Sequence, residues 1–579
     1  MMSHLKTSYT IGAIPHAEHP TPQNMRENWL CLNGEWNLQK LSPLGERNYN
    51  GKILVPFSPE TLNGGCGENF TLGEKETLIY TRTFTLTKAQ TAGKIRLHFG
   101  AVDSECTVFL NGKTVGKHVG GFTPFAFDAT DFLQTGENEI IVRVTDEATR
   151  NGGARGKQND RRGGIWYTPQ SGIWQTVWLE FMPKSSIENV KITPDVENGV
   201  VRISFNCEEE TCVCAFDDGK EVLRVVGKNQ VELCYPFVLW SPENPKLYDL
   251  ILTNSSGDEV RSYFGFRSFS IVTDETGKKR LGLNGKPYFY NGVLDQGYWS
   301  DGMLTYPSDK AIVDELTTLK NMGFNTVRKH IKIEPMRWYY HCDRLGLVVW
   351  QDFVNGGGAY QFTHVAMFPF LGFHHRDDDY KYFAREDESK REEFKNEVLE
   401  TINALYNCVS VGVYVPFNEG WGQFDSKLIA DMVASFDKTR IIDSVSGWHD
   451  QGVKNTTIKS LHTYYTPLKV PRDPRPVVLS EFGGYSWKID GHVFDAKKEF
   501  GYKKFRGADK YIKALEKLYL KKLLLLIQKG LSGAIYTQVS DVEEEINGLF
   551  TYDRKVQKIP TEKMREINDK LKAEWEKIK

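Results

Sequence analysis

Through the first third of the chain, apolar and polar residues alternate in short runs. Ile95, Leu97 and Phe99 alternate in KIRLHFG, and CTVFLNGKTV and NEIIVRV repeat the pattern with Gly, Asn or Asp between the runs. Period-two alternation punctuated by turn residues predicts antiparallel strands, with Asn111-Gly112 as a tight hairpin turn. Residues 1–183 are therefore expected to form a β-sandwich. The pattern continues over 184–273, through VVRISFN and LYDLILTNSSGDEVRSYFGFRSFSI with a turn at Ser256-Gly257, and a stretch of that length fits a small immunoglobulin-like sandwich. It carries no recognisable chemistry and is expected to act as a spacer.

After Thr273 the texture changes. Strand-like runs now alternate with helical periodicity, which implies a parallel sheet with crossover helices. PYFYNGV, FNTVR, LVVWQD, VGVYVPF, RIIDSV, KSLHTYY, PVVLSE and SGAIYTQ read as eight successive strands. Between the first two, Ser308 is expected to cap a helix whose Ile312, Leu316 and Leu319 recur at helical spacing and which Gly323 ends. A second helix starts at Pro335 and stops before Gly346, and a long amphipathic one runs from about Glu386 to Leu405. Residues 274–579 are thus expected to form a (β/α)8 TIM barrel, a fold that keeps its chemistry at the C-terminal ends of its strands.

Those ends are rich in polar and aromatic groups. In strand order they carry Asp295 and Tyr298; Arg328 and His330; Gln351 and Asp352; Asn418, Glu419 and Trp421; Trp448 and His449; His462, Tyr464 and Tyr465; Glu481; and Thr537, Gln538 and Asp541. Two β-branched runs, VSVGVYVPFNEG and PVVLSEFGG, each end by delivering a glutamate, Glu419 and Glu481. Paired carboxylates on different strands of one scaffold are what hydrolysis of a glycosidic bond requires: one protonates the departing oxygen and one meets the anomeric carbon. Hydroxyl-reading polar groups beside indoles suit a sugar ring, which offers polar edges and C–H faces.

On these residues the chain resembles glycoside hydrolase family 2, the family of β-galactosidases, β-glucuronidases and β-mannosidases. The phrases FGAVDSECTVFLNGKTVGKHVGGFTPFAFDAT and SGIWQTVWLE are similar to that family's N-terminal sugar-binding jelly roll. The resemblance implies that Glu419, of the pair Asn418-Glu419, is the acid/base and Glu481 the nucleophile of a retaining exo-glycosidase. It further implies that Arg328 keeps Glu481 ionised, that Asn418 bonds the hydroxyl next to the anomeric carbon, and that one of Tyr464 and Tyr465 bonds Glu481. Asp295, His330, Asp352, Trp421, Trp448, His462 and Gln538 complete the expected substrate-binding set. Two departures bear on the substrate. The eighth strand ends in Ile535-Tyr536-Thr537-Gln538 and an acidic run (Asp541, Glu543, Glu544, Glu545) where many members carry a Trp, so Gln538 is expected to read a sugar hydroxyl. RKHIKIEP departs from the Arg-x-Ser-His-Tyr-Pro form. The Asn-x-Lys carboxylate clamp of β-glucuronidases is not evident after Glu481, which favours a neutral terminal sugar. A β-galactoside is the default, with a β-glucuronide, arabinoside or galactofuranoside as alternatives, and transglycosylation or a catalytically weak carbohydrate-binding role as further ones.

Bulk properties narrow the remaining choices. With 73 Lys plus Arg against 75 Asp plus Glu the chain is near neutral, which argues against nucleic acid or an anionic membrane as a partner. No basic segment followed by an apolar core opens the sequence, so a cytoplasmic protein is expected, or an exported one whose signal peptide has been removed. A homo-oligomer is open. The nine cysteines have irregular spacings and read as reduced thiols, with Cys212 and Cys214 on one strand face. Asn69-Phe70-Thr71 matches a glycosylation sequon that has meaning only in a secreted protein. No metal or other cofactor is expected; the run His374 to Asp379 reads as a solvated loop or pocket rim. The basic, glycine-rich segment ARGKQNDRRGG (154–164) reads as a solvated loop, with the alternative that it reaches the barrel mouth and presents Arg155 or Lys157 to substrate.

Overall fold

The alternating runs of the first third build two antiparallel sheets in a computed structural model that describes residues 5–67, 69–370, 373–452 and 458–578. The first four residues, part of the N-terminal stretch read for a leader, lie outside the described residues. One sheet orders Trp29–Cys31, Val177–Met182, Lys94–Phe99 and Phe125–Asp128. The other orders Arg47–Val55, Gly34–Leu41, Thr77–Leu86, Gly136–Thr145, Glu105–Leu110 and Lys113–Val119. Their inward residues, Trp36, Leu38, Leu97, Phe99, Val108 and Val142 among them, form one core. The hairpin turns where expected: Leu110 pairs with Lys113, and Asn111 and Gly112 both have positive φ, 49° and 75°, as a two-residue turn between right-twisted strands requires.

A three-stranded and a four-stranded antiparallel sheet between Glu188 and Phe264 enclose a separate core around Val201, Ile203, Leu233, Leu250 and Phe264. Cys212 and Cys214 lie on one of its strands with sulfurs 3.8 Å apart, and all nine cysteines are free thiols.

The barrel follows. Its strands are β1 (Tyr290–Asp295), β2 (Thr326–Lys329), β3 (Val348–Asp352), β4 (Val411–Val415), β5 (Ile441–Ile442), β6 (Lys459–Thr463), β7 (Val477–Gly483) and β8 (Leu531–Thr537). They form one sheet in the order β5-β4-β3-β2-β1-β8-β7-β6, parallel throughout. Among the described residues no ladder joins β5 to β6, and no helix separates β5 from β6 or β6 from β7; the other crossovers are helical. Ser308 stands at the N-cap of the helix Asp309–Asn321 but makes no side-chain capping bond, so that detail of the expectation is corrected. Ile312, Leu316 and Leu319 are buried as their spacing predicts, and Gly346, at φ 72°, ends the helix Met336–Leu345.

Strand side chains sort by parity. Tyr290, Leu294, Val348, Trp350, Val413 and Val478 share one cluster, closed by Trp240, Phe269 and Leu283 from the chain preceding the barrel. Val293, Val327, Val349, Tyr414 and Leu479 point the other way, into the helices. No helix of the described residues is long and apolar enough to cross a membrane.

Candidate active site

The two glutamates meet because each strand end is irregular. After β4 the chain turns sharply, with Glu419 itself at φ 55° and Gly420 at φ 77°. A left-handed backbone costs a non-glycine residue about 1–3 kcal/mol and persists where surrounding bonds impose it. Here Glu419 N–H donates to Ser446 O at 2.9 Å and Trp421 N–H to Asn418 O at 3.0 Å. On β7, Leu479 and Phe482 both pack outward against helices, and the register with β8 shifts between them. Such a bulge frees Ser480 and Glu481 from strict alternation and turns the carboxylate to the barrel mouth. The facing atoms of Glu419, Glu481 and His462 all lie within 4.8 Å of one another.

Arg328 ties the site together. It is fully buried, and its guanidinium donates to Asp352 Oδ1 (3.0 Å) and Oδ2 (2.9 Å), Asn418 Oδ1 (2.9 Å), Ser480 O (3.0 Å) and Glu481 Oε1 (3.2 Å). Burial alone would weaken its hold on the proton, but the charges of Asp352 and Glu481 outweigh that and raise its pKa. The other Glu481 oxygen accepts a 2.5 Å bond from Tyr464 OH, whose ring stacks on Tyr502 with centroids 3.6 Å apart. Asp352 also meets His330 Nδ1 at 2.8 Å; burial moves this imidazole below its ordinary pKa against the pull of Asp352. Asp352 and His330 thus position Arg328 from behind.

Glu419 is bonded on both oxygens, Oε1 to His462 Nδ1 at 2.7 Å and Oε2 to Trp421 Nε1 at 3.1 Å. Burial would raise its pKa, but His462, Lys157 and the indole N–H together hold it down at about 2. His462 Nδ1 also lies 3.5 Å from Glu481 Oε2, and its Nε2 lies 3.0 Å from Ser446 Oγ. Trp448 is half-buried beside it, ring centroids 6.4 Å apart.

Several expectations are sharpened or corrected. Asp295 has the outward parity of Val293, and its carboxylate accepts from Lys329 Nζ (2.5 Å) and Gly297 N–H (2.8 Å) in a buried network with Glu334 and Lys332, away from the two glutamates. Tyr464 is the tyrosine that bonds Glu481; Tyr465 is 66% exposed, with its ring edge-on to Tyr502. Gln538 is fully buried and gives its Nε2 to Asn547 Oδ1 at 2.7 Å while its Oε1 has no partner among the described residues, and Asp541 is taken by Lys558 Nζ at 2.6 Å. The run 374–379 is exposed or half-exposed as a solvated loop or rim would be, except for Asp377, an internal brace that accepts from Gln423 and from Ser426 N–H.

The segment 154–164 is not a solvated loop. Arg155 and Gly156 N–H both donate to Asn355 O, the Arg155 guanidinium bonds Gly357 O and Gly358 O, and it lies 4.6 Å over the Tyr360 ring. The acidic run beyond β8 receives the rest: Gly164 N–H and Arg162 reach Glu544, Thr168 N–H bonds Glu543, and Tyr167 OH bonds Glu545 Oε2 at 2.5 Å. Lys157 is only 6% exposed, has no ion pair among the described residues, and lies 5.5 Å over the Trp166 ring. Its charge acts on Glu419 and on Glu545. Trp166 packs on Trp421 at 5.2 Å and on Tyr360 at 5.8 Å. Trp166, Tyr360 and Tyr502 were missed in the sequence; of these only Trp166, in the phrase GGIWYTP directly after the basic run, had a signal beside it.

Chemically, the arrangement offers two close carboxylates, one braced by a guanidinium and a phenol, the other by an imidazole. These are also the residues among those described whose donor atoms could converge on a cation, but both Glu481 oxygens already accept hydrogen bonds. A literal Asn-x-Lys after Glu481, Asn568-Asp569-Lys570, lies on the last helix, where Asn568 bonds Met322 O and Lys570 bonds Glu566, remote from the mouth.

Three family models match successive parts of the chain: glycosyl hydrolases family 2, sugar binding domain, over residues 63–183, glycosyl hydrolases family 2 over 181–267, and glycosyl hydrolases family 2, TIM barrel domain, over 275–571. A putative β-glucuronidase of Formosa agariphila is 25% identical over 356 residues, 57% of this chain and 41% of the relative. A β-galactosidase of Thermoanaerobacter pseudethanolicus is 24% identical over 302 residues, 47% of this chain and 39% of the relative. The chain thus aligns with under half the length of these curated relatives. Among solved structures, a β-glucuronidase of an uncultured Clostridium species superposes with a TM-score of 0.70 at 17% identity over 95% of this chain and 99% of that one, a likeness of fold.

Proposed function

The chain belongs to glycoside hydrolase family 2, and we propose that it is a retaining exo-β-glycosidase with Glu481 as nucleophile and Glu419 as acid/base. One observation carries this reading: facing oxygens of the two carboxylates approach within 4.8 Å. Retaining enzymes place their carboxyl groups about 5–5.5 Å apart, whereas inverting ones need about 6.5–9.5 Å to fit a water between sugar and base. Glu481 accepts hydrogen bonds from Arg328 and Tyr464, which hold its carboxylate for attack on an anomeric carbon. Asn418 has its oxygen held by Arg328 while its Nδ2 is a buried donor without a partner, suited to a sugar hydroxyl. Trp421, Trp166 and Trp448 offer faces for the ring and its leaving group.

The terminal sugar is read as neutral, a β-galactoside first. Glu545, buried beside the site, disfavours a second anion there, and among the described residues no Asn-x-Lys pair stands at the mouth. Lys157 favours a second reading, a β-glucuronide, because a desolvated ammonium without an ion-pair partner is a place for a substrate carboxylate. Early-time NMR of the product anomer tests the mechanism, with retention expected and inversion sinking it. Matched kcat/KM values for aryl β-galactoside, β-glucoside and β-glucuronide in wild type and Lys157→Met decide the sugar. A glucuronide preference that collapses in the variant would replace the neutral reading.

A further inference from the structure

His462 touches both carboxylates of the proposed mechanism, and a two-carboxylate scheme gives it no task. Its side chain is wholly buried, so no bulk water competes for its ring nitrogens. Nδ1 faces Glu419 Oε1 at 2.7 Å and Glu481 Oε2 at 3.5 Å, and Nε2 faces Ser446 Oγ at 3.0 Å. The charged groups around it are Glu419 after β4, Asp443 just after β5 and Glu481 from β7, with Arg328 behind Glu481 and Lys157 on the Glu419 side. Both partners of Glu419 are nitrogens, and the indole N–H can only donate, so one oxygen of Glu419 is fixed as an acceptor.

We propose that His462 and Glu419 share one proton, that the imidazole stores it in the resting enzyme, and that His462 supplies and recovers the proton used in both half-reactions; this rests on the retaining-glycosidase reading. The proton passes from Nδ1 to Glu419 and on to the glycosidic oxygen. As the C–O bond breaks, its electron pair stays with the departing oxygen, and a Glu481 oxygen forms the bond to the anomeric carbon. In the second half, water attacks that carbon, the bond to Glu481 breaks with its electron pair returning to the carboxylate, and the water proton goes to Glu419 and then to His462. His462 at 2.7 Å is also the chief influence lowering the Glu419 carboxyl, so the proton belongs to the pair and not to the acid alone.

The test compares wild type with His462→Gln. On alkyl glycosides, which need a protonated leaving group, kcat/KM should fall about 10²-fold, within the range of general acid catalysis. On a glycosyl fluoride, which departs unprotonated, it should change little, and the basic limb of the alkyl-glycoside profile should move to lower pH. Equal losses on both substrates with an unmoved limb would overturn the proposal. Nitrogen-15 NMR of labelled histidine, with His462 assigned from the variant, reads the resting enzyme directly. A charged His462 at neutral pH that becomes neutral in Glu419→Gln is expected, and a neutral one in wild type overturns the inference. Should His462→Gln not fold, Ser446→Ala serves in its place, with a smaller shift in the same direction expected and no shift overturning the inference. Wild type inactive on every glycoside would defeat the glycosidase reading, while the NMR titration would still decide where the proton sits.

Discussion

Replacing Arg328 by lysine keeps the charge and removes the fork. The guanidinium serves Asp352 twice and Asn418, Ser480 and Glu481 once each, at 2.9–3.2 Å. An ammonium gathers its three donors on one atom at the end of a different stem and reaches about two of those four partners. Two buried acceptors are then stranded, each costing about 1–3 kcal/mol, so Arg328→Lys should lose about 2–6 kcal/mol of barrel stability. The midpoint of denaturant unfolding should fall at unchanged slope. Activity should fall further than stability suggests, because Asn418 and Glu481 lose their shared anchor and a displacement of about 1 Å can cost 10²-fold in rate. The loss should be at least that large even on an activated aryl glycoside, measured well below the new midpoint. An Arg328→Lys protein with wild-type midpoint and kcat/KM within about threefold would refute the idea that the fork, and not merely the charge, builds the site.

Three further outcomes follow from the same geometry. Glu419→Ala should lose about 10²–10⁴-fold on substrates with poor leaving groups, and added azide should restore turnover of activated ones as a β-glycosyl azide; equal losses on both, with no azide product, would contradict the acid/base role. Tyr167→Phe removes one of the donors to the buried Glu545 and should raise KM with little change in global unfolding, since it loosens the sandwich segment that carries Lys157 and Trp166; an unchanged KM would refute that coupling. His16, buried and stacked on Tyr306, is held below its ordinary pKa, at about 4, chiefly by burial. Its unfolded form therefore binds protons first, so stability present above about pH 6.5 is lost as pH falls toward 4, by up to roughly 3 kcal/mol; His16→Gln should flatten that drop in denaturation midpoints taken from pH 7 to 4.

What was legible in the sequence is what local pattern controls. The β-branched runs before Glu419 and Glu481 marked buried parallel strands, and the strand-end rule located both carboxylates together with Arg328, Asn418, Trp421 and His462. Parity and bulges were not legible. Asp295 and Arg328 both follow strand-like runs, yet one residue of phase sends Asp295 out to Lys329 while Arg328 turns in. Without the irregularity between Leu479 and Phe482, Glu481 would follow Leu479 toward the helices. Of the adjacent Tyr464 and Tyr465, only one can face the barrel, and the composition around them is too similar to choose between them.

The basic segment 154–164 and the acidic run 541–545 were the least legible, because each looks like a solvated stretch when read alone. Together they form one contact, with Arg162, Tyr167 and the Gly164 and Thr168 amides serving Glu543, Glu544 and Glu545. The acidic run stood in the sequence only as a departure bearing on the substrate, but Glu543, Glu544 and Glu545 are spent on docking, and what they dock is a loop bearing Lys157 and Trp166. Burial raises the pKa of Glu543 and of Glu545, so the contact carries a desolvation cost that the seated loop helps to offset. A barrel expressed without residues 1–183 would leave Glu543 and Glu545 without the Thr168 and Tyr167 donors and its mouth without the Trp166 indole. The site therefore belongs to the sandwich and the barrel jointly, and substitutions in the sandwich loop are expected to change sugar selectivity as directly as substitutions at the strand ends.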